Sequence, residues 1–356
     1  MLLAGHGILI ANACDELLEF VDKTKIPTAV TLLGKSAIDE NHPCFVGMLG
    51  MHGNYAPNKL TNEADLIIAA GMRFDDRVTG DINRYAPNAK VIHIDIDKAE
   101  LNKNVKADLA IHADIKEFLQ QILPEQYQTC EAQWRQEFTR LNEIEKEKVI
   151  AQECYPENGH LRAGEVISKV SRLTKREAIV VTDVGQNQMM AARYYGFKKP
   201  NTLITSGGLG TMGFGLPAAM GAQVARLDKT VVLFTGDGGF QMTAQELGTV
   251  VQYQLPVKII IFNNNFLGMV RQWQNLFNDK RYAQTNMPTP DFPMMAKSFG
   301  IESKWVRERD QLDNAIEEMF NYEGPYLLEI SIEKEANVFP MIYPGRAVDE
   351  IVLHEE

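Results

Sequence analysis

The chain carries Thr-Gly-Asp-Gly-Gly (Thr235 to Gly239) directly after the apolar run Thr230-Val-Val-Leu-Phe234. It carries Asn263-Asn264-Asn265 directly after a second such run, Val257-Lys-Ile-Ile-Ile-Phe262. Both runs are short, β-branched and bounded by turn residues, the pattern of strands buried on both faces of a parallel sheet. The stretch between them, Met242 to Gln254, has helical spacing and predicts the crossover. A βαβ unit of this kind puts the Asp237 carboxylate and the Asn264 amide at one sheet edge, beyond the carboxyl ends of neighbouring strands. One carboxylate, one side-chain amide and the oxygens of water or phosphate make the partial oxygen shell that Mg²⁺ prefers. The glycines around Asp237 let backbone approach a diphosphate closely. Mg²⁺ carrying a diphosphate is the ligand these residues predict.

With 356 residues the chain has room for two domains. Strands are predicted at Met1–Ala4, Thr28–Thr31, Leu66–Ala70, Lys90–Asp95 and Leu109–His112, with helices at Asn12–Lys23, Ala56–Glu63 and Ile115–Ile122. This alternation is that of an α/β, doubly wound parallel-sheet domain over 1–123. Residues 124–158 read as a linker, with a charge-laced, exposed connecting helix over 129–150. A second α/β domain of the same class covers 159–333, with helices at Leu161–Leu173 and Gly213–Arg226 and strands at Ala178–Thr182 and Tyr326–Ile332. The tail 334–356 has no periodicity and reads as a disordered end or a lid. Met1–Ala4 is already strand interior, which suggests a chain truncated at its N-terminus or one that needs a partner.

The net charge of −11 argues against nucleic acid or an anionic membrane surface as partner. Cys14, Cys44, Cys130 and Cys154 are widely spaced, without a C-x-x-C or a neighbouring His cluster, so reduced thiols in a cytoplasmic setting are expected. No apolar run reaches the roughly 18 residues of a membrane span.

Gly208-Leu-Gly210-Thr-Met-Gly213 spells G-x-G-x-x-G, and with Asp237 downstream it admits a rival reading, an NAD-type oxidoreductase. Against it stand a short preceding strand (Thr202–Thr205), an acidic residue inside a Gly-Asp-Gly-Gly turn, and no use for Asn263-Asn264. In the first domain, Gly5-His6-Gly7, Gly50-Met51-His52-Gly53 and the loop from Gly71 to Arg77 adjoin strand ends. Loops converging on one edge suit an extended cofactor at the topological switch point. Arg73 and Arg77 suit phosphate or carboxylate, or else an Arg–Asp network on a loop.

The chain resembles the thiamine-diphosphate-dependent enzymes, and among them the catalytic subunits of the acetolactate (acetohydroxyacid) synthases. The resemblance rests on Met48-Leu-Gly-Met-His-Gly53, Ala70-Gly-Met-Arg-Phe-Asp-Asp-Arg-Val-Thr-Gly80, Thr182-Asp-Val-Gly-Gln-Asn-Gln188, the run Ser206 to Gly221, and Leu267-Gly-Met-Val-Arg-Gln-Trp-Gln274. It implies a transferase of branched-chain amino acid biosynthesis that decarboxylates pyruvate on thiamine diphosphate and joins the product to a second 2-oxoacid, pyruvate or 2-oxobutyrate. It implies Mg²⁺ on Asp237, Asn264 and the Phe266 carbonyl. Thiamine diphosphate is implied along Val184, Gly185, Gln186, Gly236, Gly238 and Gly239, with the Gly210 carbonyl at the aminopyrimidine and Met212 bending the cofactor. Met51, Arg77 and Trp273 would recognise the second substrate. FAD would lie on Gly5, Gly7, Thr31, Leu32, Gly50, His52, Gly71, Arg73, Asp75, Val78, Asp95 and Asp114. A homodimer or homotetramer with a small regulatory subunit is implied as well. Asn187 stands where many relatives have His. The family's pyrimidine-binding domain, with its activating glutamate, has no counterpart in 1–356, so the resemblance implies a separate half or a longer chain that supplies it. Other readings are a non-catalytic cofactor-binding fragment, a pyruvate oxidase or a simple decarboxylase; Arg77 with Trp273 favours carboligation.

Overall fold

Six short runs of small and β-branched residues build the first sheet: Leu2–Ala4 (β1), Thr28–Val30 (β2), Phe45–Met48 (β3), Leu66–Ala70 (β4), Lys90–Asp95 (β5) and Leu109–His112 (β6). All neighbours pair in parallel, in the order β3-β2-β1-β4-β5-β6. The chain thus winds outward from β1 in one direction and from β4 in the other, and the switch point lies between those two strands. The helices of this unit are His6–Ile10 (α1), Cys14–Thr24 (α2), Tyr55–Thr61 (α3), Asp76–Thr79 (α4), Ile115–Ile122 (α5) and Ala132–Glu145 (α6). This is a computed structural model that describes residues 1–355. Its contacts divide it into two units. One holds Met1–Ala151, Phe197–Asn201 and the described residues from Phe339 on; the other holds Gln152–Gly196 and Thr202–Val338.

Two sequence expectations are corrected in the first unit. α6 is not an exposed connector: Phe138 and Leu141 are buried in the sheet's core, with Trp134 and Ile144 packed beside them. Its Glu145, 1% exposed, accepts from Asn54 Nδ2 at 2.9 Å and from the Tyr55 N–H at 2.6 Å. The carboxylate therefore meets unpaired donors at the N-terminus of α3, which a helix end requires. The tail is no disordered end either. Ile342, Val348 and Ile351 enter the same core, Met341 pairs with Val352, and Ala347 bridges to Gly80. Strand β3 was not foreseen, because Gly47 interrupts its alternation.

The second unit holds Ile179–Thr182 (β7), Leu203–Ile204 (β8), Val231–Gly236 (β9), Lys258–Asn263 (β10), Glu302–Val306 (β11) and Tyr326–Ser331 (β12). These form a parallel sheet in the order β11-β12-β10-β9-β7-β8. Its helices are Ala151–Cys154 (α7) at the entrance, Ala163–Leu173 (α8), Gln186–Tyr194 (α9), Gly215–Ala225 (α10), Asp237–Gln241 (α11), Leu247–Gln252 (α12), Gly268–Phe277 (α13), Phe292–Ser298 (α14) and Arg309–Asn321 (α15). β9 and β10 are the two predicted apolar runs. Both are buried along nearly their whole length and stand side by side, with Gly236 opposite Phe262. β11 was not foreseen, its alternating polar residues being those of an edge strand. Among the described residues, no helix is long and apolar enough to cross a membrane.

Candidate functional site

In the second sheet β7 is flanked by β8 on one side and β9 on the other, so the switch point lies between β7 and β9. A cleft opens at their carboxyl ends. It is lined by Val184, Gly185 and Gln186 after β7, by Gly236, Asp237, Gly238 and Gly239 after β9, and by Asn264 and Phe266 after β10, with Met212 also on its wall. Every residue predicted from the sequence for diphosphate, metal and thiamine lines this cleft except Gly210, which lies on an exposed turn at φ 64°. The rival dinucleotide reading fits poorly. β8, the strand before Gly208-Leu-Gly210, has only the residues Leu203–Ile204 at the sheet edge, away from the switch point.

Asp237 is 2% exposed. Its Oδ1 accepts from the Gly238 N–H at 2.9 Å and its Oδ2 from the Asn265 N–H at 2.8 Å. No described cationic side chain pairs with it, and burial pushes its pKa up to about 7. An uncompensated buried carboxylate is costly, and a divalent cation would supply the missing charge. Asn264 Oδ1 accepts from the Phe266 N–H at 3.0 Å, which turns the chain back on itself and leaves the oxygen a second lone pair. Glu329, on β12, accepts from Asn263 Nδ2 at 2.7 Å, and burial pushes it too up to about 7. Asn263 Oδ1 in turn accepts from the Asn265 N–H, so a hydrogen-bonded chain runs from Glu329 to Asp237. The donor set and the unpaired charge fit Mg²⁺. Gly185 adopts φ 125°, a conformation that favours glycine, and a Cβ on Gly239 would stand 2.3 Å from Asp183 Oδ1. These glycines hold backbone close around the cleft, which fits a diphosphate.

Several lining residues escaped the sequence reading. Glu153, Arg162 and Ala336 line the cleft from distant positions and carry no motif. Gln186 Nε2 donates to Gln272 Oε1 at 3.0 Å and to the Ala336 carbonyl at 2.8 Å, tying α13 and residue 336 to the end of β7. Trp273 lies on α13, half-buried, its ring 5.1 Å from that of Phe277.

In the first unit, the residues expected at FAD gather at the carboxyl edge but hold structural roles. The Gly5 and Gly7 amides donate to Ala70 O and Gly71 O, and a Cβ on Gly5 would meet Gly71 O at 2.3 Å. Asp114 caps α5, accepting from Lys116 and Glu117, and Asp95 accepts from the Asp97 N–H. Thr31 Oγ1 accepts from the Gly34 N–H; the neighbouring Leu32 is half-buried. Asp75 caps α4 and lies 3.4 Å from Arg73, while His52 and Val78 are buried. Gly50 brings its backbone against that of Arg77, and the Met51 N–H donates to Arg77 O at 2.7 Å. Met51 and Arg77 are therefore neighbours, with the Arg77 side chain largely exposed. The strand order and the half-exposed Arg73 fit an extended dinucleotide in outline.

Residues 183–330 match the model of the thiamine pyrophosphate enzyme C-terminal TPP binding domain, and residues 1–122 that of the thiamine pyrophosphate enzyme central domain. The chain is 44% identical over 354 residues to the acetolactate synthase isozyme 2 large subunit of Escherichia coli (strain K12), covering 99% of this chain and 63% of that one. It is 42% identical over 355 residues to the acetolactate synthase large subunit of Lactococcus lactis subsp. lactis, covering 99% and 60%. A probable acetolactate synthase large subunit of Methanocaldococcus jannaschii is 42% identical over 358 residues, again 99% and 60%. The chain thus spans 60–63% of the length of these relatives.

Proposed function

The chain belongs to the thiamine pyrophosphate enzymes, whose central and C-terminal domains it carries, and on that premise we propose that it is part of an acetolactate synthase catalytic subunit. The observation that carries the reading is the buried Asp237, with no cationic side-chain partner among the described residues, beside Asn264 in the cleft at the sheet switch point. Asp237, Asn264 and the Phe266 carbonyl would hold Mg²⁺. Amides of Gly238 and Gly239 would meet the diphosphate, with Val184, Gly185, Gln186 and Gly236 along the cofactor, the Gly210 carbonyl at its aminopyrimidine and Met212 beneath it. Bound thiamine diphosphate would supply the electron sink that decarboxylation of pyruvate needs. The apolar wall formed by Met212 and Leu267 would keep water from the reacting atoms. Arg77 would take the carboxylate of a second 2-oxoacid, and its neighbour Met51 would pack on the alkyl group. A methylene of selectivity from such packing is worth about 1–3 kcal/mol. FAD on the edge of the first unit belongs to the same proposal. So do a homodimer or homotetramer, a small regulatory subunit, a pyrimidine-binding domain from elsewhere and a cytoplasmic location; the relatives' designation as large subunits supports a smaller partner.

The test is Mg²⁺-dependent binding of thiamine diphosphate by the purified chain. Acetolactate formation from pyruvate is then assayed with FAD present, with and without the remainder of the relatives' length. Binding, with activity only when that remainder is added, is the expected result. Absence of Mg²⁺-dependent binding would overturn the reading.

A further inference from the structure

Asp183 is the first residue beyond β7 and is 1% exposed. Its carboxylate gathers backbone N–H groups: Oδ1 accepts from Val184 at 2.8 Å and from Gly213 at 3.1 Å, and Oδ2 accepts from Gly215 at 2.8 Å. Its own N–H donates to Phe234 O on β9 at 2.9 Å. A Cβ on Gly215 would stand 2.9 Å from Oδ2, and one on Gly239 would stand 2.3 Å from Oδ1. One side chain therefore touches three segments of the cleft wall: the strand end with Val184 and Gly185, the turn leading from Gly210 and Met212 into α10, and the start of α11 with Gly238 and Gly239.

The turn from Gly208 to Gly213 depends on such an anchor. Leu209 is 95% exposed, and Gly210 and Gly213 sit at φ 64° and 85°. Its other ties include a Thr211 N–H to Ser206 Oγ bond of 3.1 Å, a Thr243 Oγ1 to Gly213 O bond of 3.2 Å and a Phe214 N–H to Thr211 O bond of 3.3 Å. An aspartate suits the position because its two carboxylate oxygens accept several N–H groups at once, including those at the N-terminus of α10. We infer that Asp183 is the positioning residue that holds the Gly210–Met212 turn at a fixed separation from the diphosphate end of the cleft. This rests on the proposed reading of the cleft as a thiamine diphosphate site.

The test uses the purified chain and its Asp183→Asn variant, each titrated with Mg²⁺ plus thiamine diphosphate and with Mg²⁺ plus inorganic pyrophosphate. Pyrophosphate occupies only the diphosphate end. The variant is expected to weaken thiamine diphosphate binding about tenfold, the scale of a lost charge-assisted hydrogen bond, with pyrophosphate affinity within about twofold of wild type. Wild type that binds, with a variant that binds both ligands unchanged or loses both equally, would overturn the inference alone. Wild type that binds neither would overturn the reading of the cleft and the inference with it. Should Asp183→Asn fail to fold, Gly239→Ala displaces the carboxylate with an added methyl. Amide hydrogen exchange at Gly213 and Gly215 should then quicken, and unchanged exchange there would overturn the inference.

Discussion

Asp237 in the second unit's cleft and Glu329 behind it are buried carboxylates joined through Asn263 and the Asn265 N–H. Both are pushed up to about 7 from ordinary values of 3.8 and 4.5, chiefly by burial. Between pH about 4 and 7 the folded chain therefore holds protons that the unfolded chain has released. Stability falls as pH rises through that window: the contribution is full below it and lost above it. Asp237→Asn cannot titrate, so the difference in Tm between wild type and this variant should shift against wild type from about pH 5 to pH 8 without metal. Mg²⁺ with pyrophosphate should restore wild type alone at the higher pH; a pH-independent difference would mean that Asp237 is not buried as described. At Arg77, the side chain is largely exposed, with Asp76 3.7 Å away. In a reconstituted enzyme Arg77→Ala should cut carboligation roughly 10- to 100-fold, the scale of a lost charged hydrogen bond, and decarboxylation far less. Equal loss of both rates would remove Arg77 from recognition of the second 2-oxoacid. Asp237 and Asn264 were legible as a pair because each ends an apolar strand within one βαβ unit. Asp183 and Glu329 were not, since what marks them is the set of amides they meet across the fold.

At the scale of elements, α6 shows how a charged sequence misleads. Its Glu, Lys and Arg residues suggested a solvated connector, yet one stripe is buried through Phe138 and Leu141. Phe138→Ala should destabilise the first unit by about 3–5 kcal/mol, by loss of burial and the cavity left behind. Glu145→Gln should cost about 1–3 kcal/mol, because it leaves a buried donor at Asn54 or Tyr55 poorly matched. Urea midpoints measure both, and a Phe138→Ala midpoint equal to wild type would return α6 to the surface. Trp134, Phe138, Leu141 and Ile144 recur at helical spacing in the sequence, but what they pack against is set by the fold. β9 and β10 were legible because a strand buried on both faces needs an unbroken apolar run. β3 and β11 were not, because neighbours and an edge position cover what their side chains lack.

For the molecule as a whole, residues after Val338 belong to the core of the first unit through Ile342, Val348 and Ile351. Ending the chain at Val338 should lower the first unit's thermal transition and expose it to protease. The second unit should still bind Mg²⁺ and pyrophosphate, since Val338 keeps its bond to Gln272. Loss of that binding together with the first unit's transition would contradict the division into two units. The sequence by itself determined the α/β class, both sheets' central strands, and the Gly-Asp-Gly and Asn-Asn residues at the cleft. Apolar periodicity and turn chemistry are local, and a βαβ unit converts them into a fixed sheet edge. Only the tertiary structure decided that the tail and α6 complete the first core, that Gly5 and Gly7 serve backbone packing, and that Asp183 joins three walls of the cleft. Those roles depend on residues far apart in the chain meeting in a space that one sequence, read along its length, does not encode.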